Sequence, residues 1–142
     1  MYKRQIGTQT AEQLKIELGS AFPMPEEGAA EVRGRDLVTG LPKTVLTTSE
    51  EIREAIAPAV GTIVEAVRDT LDRTPPELVS DIMDRGMMLA GGGTLLRHLD
   101  ERLRKETGLP VHVADEPLTC VARGSGRFLE EIDFYQSSIV SD

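Results

Sequence analysis

Tryptophan is absent from this 142-residue sequence, cysteine occurs once, histidine twice, and basic residues are outnumbered by acidic ones, 16 to 24. Each shortage excludes something. A single cysteine, Cys120, cannot close an intrachain disulfide, which removes the disulfide-framed secreted scaffolds and makes a reducing, cytoplasmic setting the default. His98 and His112 are the only histidines, and His112 alternates with Val111 and Val113, so neither a metal cluster nor a Cys–His nucleophile pair is suggested. No catalytic residue and no metal ligand is assigned. The net charge of −8 argues against nucleic-acid binding, which needs clustered Lys and Arg to neutralise phosphates. An anionic ligand would have to be held locally, and backbone amides can do that. The sequence also has no run of about 18 apolar residues and no charged-then-apolar start, so it implies neither a membrane span nor secretion.

What is present fits a folded chain: 39% hydrophobic and 28% charged residues, enough for one ordinary domain or two small lobes with a real core. The most distinctive stretch runs from Met87 to Leu96, a short apolar segment that breaks into Gly91, Gly92 and Gly93 and restarts as an amphipathic pattern. It reads as strand, glycine turn, helix. A loop without β-carbons lets backbone approach a ligand closely, and a following helix offers unpaired N–H groups and its positive dipole end. That suits a phosphate or the sugar edge of a nucleotide. The alternative is that the glycines only make a tight strand-to-helix turn, with one at positive φ.

Upstream, Thr8 to Gly19 has helical spacing, with Ala11, Leu14 and Leu18 on one face, Thr8 or Thr10 as N-cap and Gly19 as the stop. Glu12 and Lys15, three apart, are neighbours on its surface. They form either a solvated ion pair or a carboxylate and an ammonium aimed at the hydroxyls and ring of a bound nucleoside. Phe22 to Gly28 is a connector broken by Pro25 and Gly28. Ala30–Asp36 and Lys43–Thr47 predict a hairpin lying on the helix, with Arg33 and Arg35 as a small basic spot on its solvated face. Thr48-Ser49-Glu50-Glu51 fits a capping box opening a helix through Ile52, Ile56, Val60, Ile63, Val67 and Leu71. Pro58 falls inside it and either kinks one long helix or marks a handover to a second. Thr74-Pro75-Pro76-Glu77 repeats the start signal for a short helix that stops at Arg85-Gly86.

Beyond the glycines, Leu95, Leu96, Leu99 and Leu103 predict a helix closed by Lys105 and Gly108, and Leu109 to Ala114 predicts a strand of the same sheet. Asp115-Glu116-Pro117 then caps a helix whose face is Leu118, Val121, Ala122, Ser125, Phe128, Leu129 and Ile132. Gly124 and Gly126 inside it cost about 1 kcal/mol each against alanine, which points to a helix, backbone or ligand passing close by. The last residues, 133–142, lack periodicity and read as a disordered tail. The back half is thus an α/β layer with parallel strands joined by a helical crossover. Two strands would leave their edges bare, so a further partner is expected from upstream chain or another molecule.

Several long segments, in matching order and spacing over about residues 3 to 132, resemble the MreB family of bacterial actin-like rod-shape-determining proteins. They are Thr10 to Ala21, Glu31 to Lys43, Met88 to Leu96 and Thr107 to Ala122. The resemblance implies the C-terminal half of an actin-like, ribonuclease H-like ATPase fold, with an incomplete sheet plus a small α+β subdomain. Residues 1–50 would be the small outer subdomain (part of IIB) and 51–132 the inner one (IIA). It also implies an ATP or ADP ligand, with Mg2+ in the complete protein. Gly91, Gly92 and Gly93 would lie against the adenosine and α-phosphate, and Glu12 and Lys15 would face them from the opposite wall.

In that family the phosphate loops, the magnesium-organising aspartates and the carboxylate that positions water lie in segments expected to precede Met1. Phosphoryl transfer needs all of them, so this polypeptide alone is expected not to hydrolyse ATP. The partners implied are other copies, in filaments that govern cell-wall elongation, and the elongation machinery itself. Membrane contact is implied only through segments upstream, placing the full-length protein in the cytoplasm at the inner face of the cell membrane. A different class of function is a stand-alone, non-catalytic module that caps or copolymerises with full-length MreB or docks an elongation partner.

Overall fold

A computed structural model, which describes residues 4–135, places an antiparallel sheet of β1 (Arg4–Gln5), β2 (Ala29–Asp36) and β3 (Pro42–Thr48), in that order, on one side of α1 (Thr8–Leu18). The hairpin runs in register from Ala29 opposite Thr48 to Arg35 opposite Pro42. Its turn is held by Asp36, whose carboxylate accepts the N–H groups of Val38 and Thr39, which pulls its pKa below the ordinary value. Strand alternation then decides the faces. Val32 turns inward and is buried with Leu14 and Leu18, while Arg33 and Arg35 turn to solvent. The N-cap of α1 is Gly7, not Thr8 or Thr10, and no side chain caps it.

The 25-residue helix α2 (Ser49–Arg73) begins with the expected capping box: the Glu51 N–H donates to Thr48 Oγ1 at 3.3 Å and the Thr48 N–H to Glu51 Oε2 at 3.2 Å. Pro58 sits inside one continuous helix, so no handover occurs. The buried stripe is Val60 and Val64 flanked by Ile56 and Val67, while Ile63 is turned out at 43% exposure. Removing the cap with Thr48→Ala is expected to lower unfolding stability by about 1 kcal/mol in a urea titration. An unchanged midpoint would show that the box is not maintained in solution.

Thr74 closes α2 instead of opening the next helix, and α3 (Pro76–Arg85) starts with Pro75 as N-cap and Pro76 at its first position. From there β4 (Met87–Leu89), α4 (Leu99–Thr107) and β5 (Val111–Val113) form a strand–helix–strand crossover, with Met87 to Leu89 paired in parallel to Val111 to Val113. Leu103 and Val111, at 1% and 0% exposure, anchor a core that also holds Ala21, Val60, Val64 and Leu99.

Helix α5 (Cys120–Glu130) starts later than Asp115–Pro117 suggested, with Thr119 at its N-cap, and it buries no residue. Leu118 and Leu129 are 68% and 66% exposed. A β-carbon added at Gly124 or Gly126 would meet nothing within 4 Å, so the close neighbour inferred from those glycines is not among the described residues. Ile132–Tyr135 forms a helical turn, α6, in place of the start of the disordered tail, and Tyr135 stacks on Phe128 with ring centroids 5.2 Å apart. The remainder of that tail, residues 136–142, lies outside the described residues.

Candidate functional site

The glycine stretch leaves β4 and turns sharply at Gly91, whose φ of 89° suits glycine. The Gly91 N–H donates to Pro117 O at 2.7 Å, and the hydroxyl of Thr94 returns to Gly91 O at 2.7 Å. These two bonds fix the loop from behind and from within. Its other side is open. A β-carbon at Gly91 or Gly93 would meet no atom within 4 Å, and one at Gly92 would meet only Leu118 Cδ2, at 3.1 Å.

No α-helix follows directly, contrary to the restart of the leucine pattern. Gly92–Leu95 makes one turn of 3-10 helix, Leu96 is extended, and His98 is left-handed at φ 58° before α4 begins at Leu99. The cause is a non-local backbone contact. Arg97 pairs in parallel with Ser20, and the Ala21 N–H donates to Arg97 O at 2.8 Å, so the chain must be extended there. The positive dipole end of α4 therefore stands beyond the glycines, not at them.

That same contact fixes α1 against the segment beyond the loop, because Ser20 and Ala21 follow α1 immediately. Glu12 and Lys15 lie on α1 as an exposed ion pair, with Lys15 Nζ 2.7 Å from Glu12 Oε1. Among the described residues, neither side chain bonds to any of the three glycines. A cavity of about 600 Å³ between the hairpin and α2 is lined by Leu14, Val32, Val45 and Ile52 and includes neither set. Among the described residues no group of His, Cys, Asp and Glu converges on a metal position. No described helix is long and apolar enough to cross a membrane.

Sequence reasoning missed a polar joint where the connector meets α2. Arg53 Nη2 donates to Glu27 Oε1 at 2.7 Å, and its Nη1 donates to Glu27 Oε2 at 3.2 Å and to the hydroxyl of Ser20 at 3.1 Å. Ser49 donates to the same Glu27 carboxylate and accepts the Gly28 N–H at 2.9 Å. Ser20 and Ser49 are fully buried. Glu27 and Arg53 are 26 residues apart, so no local pattern signals the pair. The Arg53 guanidinium and the Ser49 hydroxyl hold the Glu27 carboxyl down from 4.5 to about 2. A carboxylate with a depressed folded pKa stabilises the fold above its unfolded pKa and loses that contribution as pH falls. The melting temperature is thus expected to drop between about pH 4.5 and 2, more shallowly in Glu27→Gln. Identical slopes for the two proteins would remove Glu27 from the account.

Comparison with known proteins completes the picture. A family model described as MreB/Mbl protein matches residues 1–137. The cell shape-determining protein MreB of Escherichia coli (strain K12) is 51% identical over 141 residues, which cover 99% of this chain and 41% of that relative. The cell shape-determining protein Mbl of Bacillus cereus (strain ATCC 10987 / NRS 248) is 49% identical over 132 residues, covering 93% of this chain and 40% of Mbl. In structure, MreB5 of Spiroplasma citri bound to AMPPNP superposes with a TM-score of 0.87 at 37% identity, covering 96% of this chain and 41% of MreB5. The chain therefore spans well under half the length of the relatives it matches.

Proposed function

The chain belongs to the MreB/Mbl family and folds as part of an actin-like ATPase, and from that premise we propose that it forms the adenosine-binding wall of a nucleotide cleft. The observation that carries this is the loop at Gly91, Gly92 and Gly93: tied from behind to Pro117, open in front, and linked through Arg97 and Ala21 to the helix bearing Glu12 and Lys15. MreB5 is seen with AMPPNP, an adenine nucleotide. ATP or ADP would set its adenosine and α-phosphate over the glycine backbone, with Glu12 and Lys15 reaching the ribose and adenine from α1.

The outer lobe, about residues 1–50, and the inner lobe from residue 51 correspond in this reading to subdomains IIB and IIA. The full-length protein would form actin-like filaments that govern rod shape and cell-wall elongation, in the cytoplasm at the inner face of the membrane. Phosphoryl transfer needs metal, in-line water and γ-phosphate clamps together, and none of the residues named here supplies them. Magnesium would be held by groups outside this set. We therefore place nucleotide binding on this chain, and no hydrolytic step.

Titration calorimetry tests the reading directly. Saturable heat is expected with ATP and with adenosine alike, since the wall grips the base end, and no phosphate should be released. Absence of any adenosine-dependent heat, or steady ATP turnover, would overturn it.

A further inference from the structure

The joint around Arg53 has a place in the fold that its chemistry alone does not explain. On α2, Ile52 packs with the outer cluster of Leu14, Leu18 and Val32, whereas Ile56 packs with the inner cluster around Val60 and Leu103. Arg53 lies between these two contacts. Its guanidinium reaches across to Ser20, the residue through which α1 runs into the connector. The backbone of Ser20 and Ala21 is in turn what pairs with Arg97, just past the glycine turn. Phe22, next along, lies under Lys105 of α4, with Nζ 4.9 Å from the ring centroid. This short stretch carries the direct backbone link from α1 to the segment past the glycine loop; Ala21 packs it on Val60 and Val64 of α2, and Arg53 adds the side-chain hydrogen bond that ties Ser20 to the same helix.

From this geometry we infer that Arg53, aligned by Glu27, is a positioning residue that sets the spacing between α1 and the glycine loop, and hence the affinity for an adenine nucleotide. The inference rests on the adenosine-wall reading above. Arg53 touches neither Glu12, Lys15 nor the glycines. It acts by holding Ser20 in place. The planar guanidinium holds both oxygens of Glu27 through two nitrogens while Nη1 also reaches Ser20, a fixed fork that a lysine ammonium, with its donors on one nitrogen, cannot reproduce.

The experiment has two readouts on the whole chain carrying Cys120→Ser. Spin labels at Gln13→Cys on α1 and Leu95→Cys on the 3-10 turn report the spacing by pulsed electron resonance. Binding of mant-ADP, a fluorescent adenine nucleotide, reports the site. Arg53→Met is expected to broaden the distance distribution and to weaken mant-ADP binding on the order of tenfold, because apparent affinity scales with the fraction of molecules in the competent arrangement. Arg53→Lys should fall between that variant and the unsubstituted protein in both readouts. It also carries the test, together with Glu27→Gln, if Arg53→Met fails to fold. An unchanged distance distribution, or a broadened one with unaltered affinity, would overturn the positioning role and leave the adenosine wall standing. If the unsubstituted chain takes up no mant-ADP at all, the adenosine wall itself is wrong and the positioning role falls with it.

Discussion

Gly93→Val is expected to weaken adenosine and ATP binding by at least about 100-fold, a loss of about 2.7 kcal/mol, while leaving the urea midpoint almost unmoved. The two halves of this expectation come from one observation. A β-carbon at Gly93 meets no atom of the chain within 4 Å, so the added side chain costs the fold little, within about 0.5 kcal/mol for an exposed position. The space it enters is the space the nucleotide would need, since a loop without side chains is what lets the base end approach the backbone. Calorimetry paired with denaturation reads both quantities on one sample. Adenosine binding by the Gly93→Val protein as tight as that of the unsubstituted chain would place the ligand elsewhere. Gly91 is a poorer place for the same test, because its φ of 89° would strain any side chain whether or not a ligand were present.

Gly19→Ala is expected to destabilise the fold by about 1–3 kcal/mol, the range of an overpacked site. The sign is the informative part. Where the native backbone tolerates it, Gly to Ala stabilises by about 0.4–1 kcal/mol through the unfolded chain. Gly19 has φ −68° and ψ 138°, an extended conformation open to any residue, so dihedral preference gives no penalty. The obstacle is contact. A β-carbon there would stand well inside van der Waals contact of the carbonyl oxygen of Lys15, which already accepts the Gly19 N–H at 2.9 Å. Backbone cannot yield as a side-chain tip can, so the end of α1 would have to shift. A midpoint equal to or above that of the unsubstituted protein would show that this approach is not kept in solution.

Gly19 also shows what the sequence could and could not convey. Its position at the helix end was legible, because glycine after an amphipathic run is a local signal. Its reason was not, since the glycine is extended and what it accommodates is a close approach to the Lys15 carbonyl. The capping box at Thr48 and Glu51 was fully legible for the same local reason. The helix expected straight after Gly93 failed because the pairing of Arg97 with Ser20 and Ala21 spans more than 70 residues, and no periodicity encodes it. Arg53 and Glu27 escaped notice on the same ground. Gly124 and Gly126 pointed to a close neighbour that no described residue supplies. The glycine triplet was visible at once, and what the fold adds is which side of it is open.

Helix α2 contributes Ile52 to one hydrophobic cluster and Ile56, Val60, Val64 and Val67 to the other. Neither cluster can be dismantled without losing partners on this one rod. The two clusters should therefore behave as a single foldon, with protected amides of β2 and of α4 sharing one opening free energy and one denaturant slope in native-state hydrogen exchange. Two separate exchange isotherms would mean that α2 can part in its middle, where Pro58 already leaves one carbonyl without its helical donor.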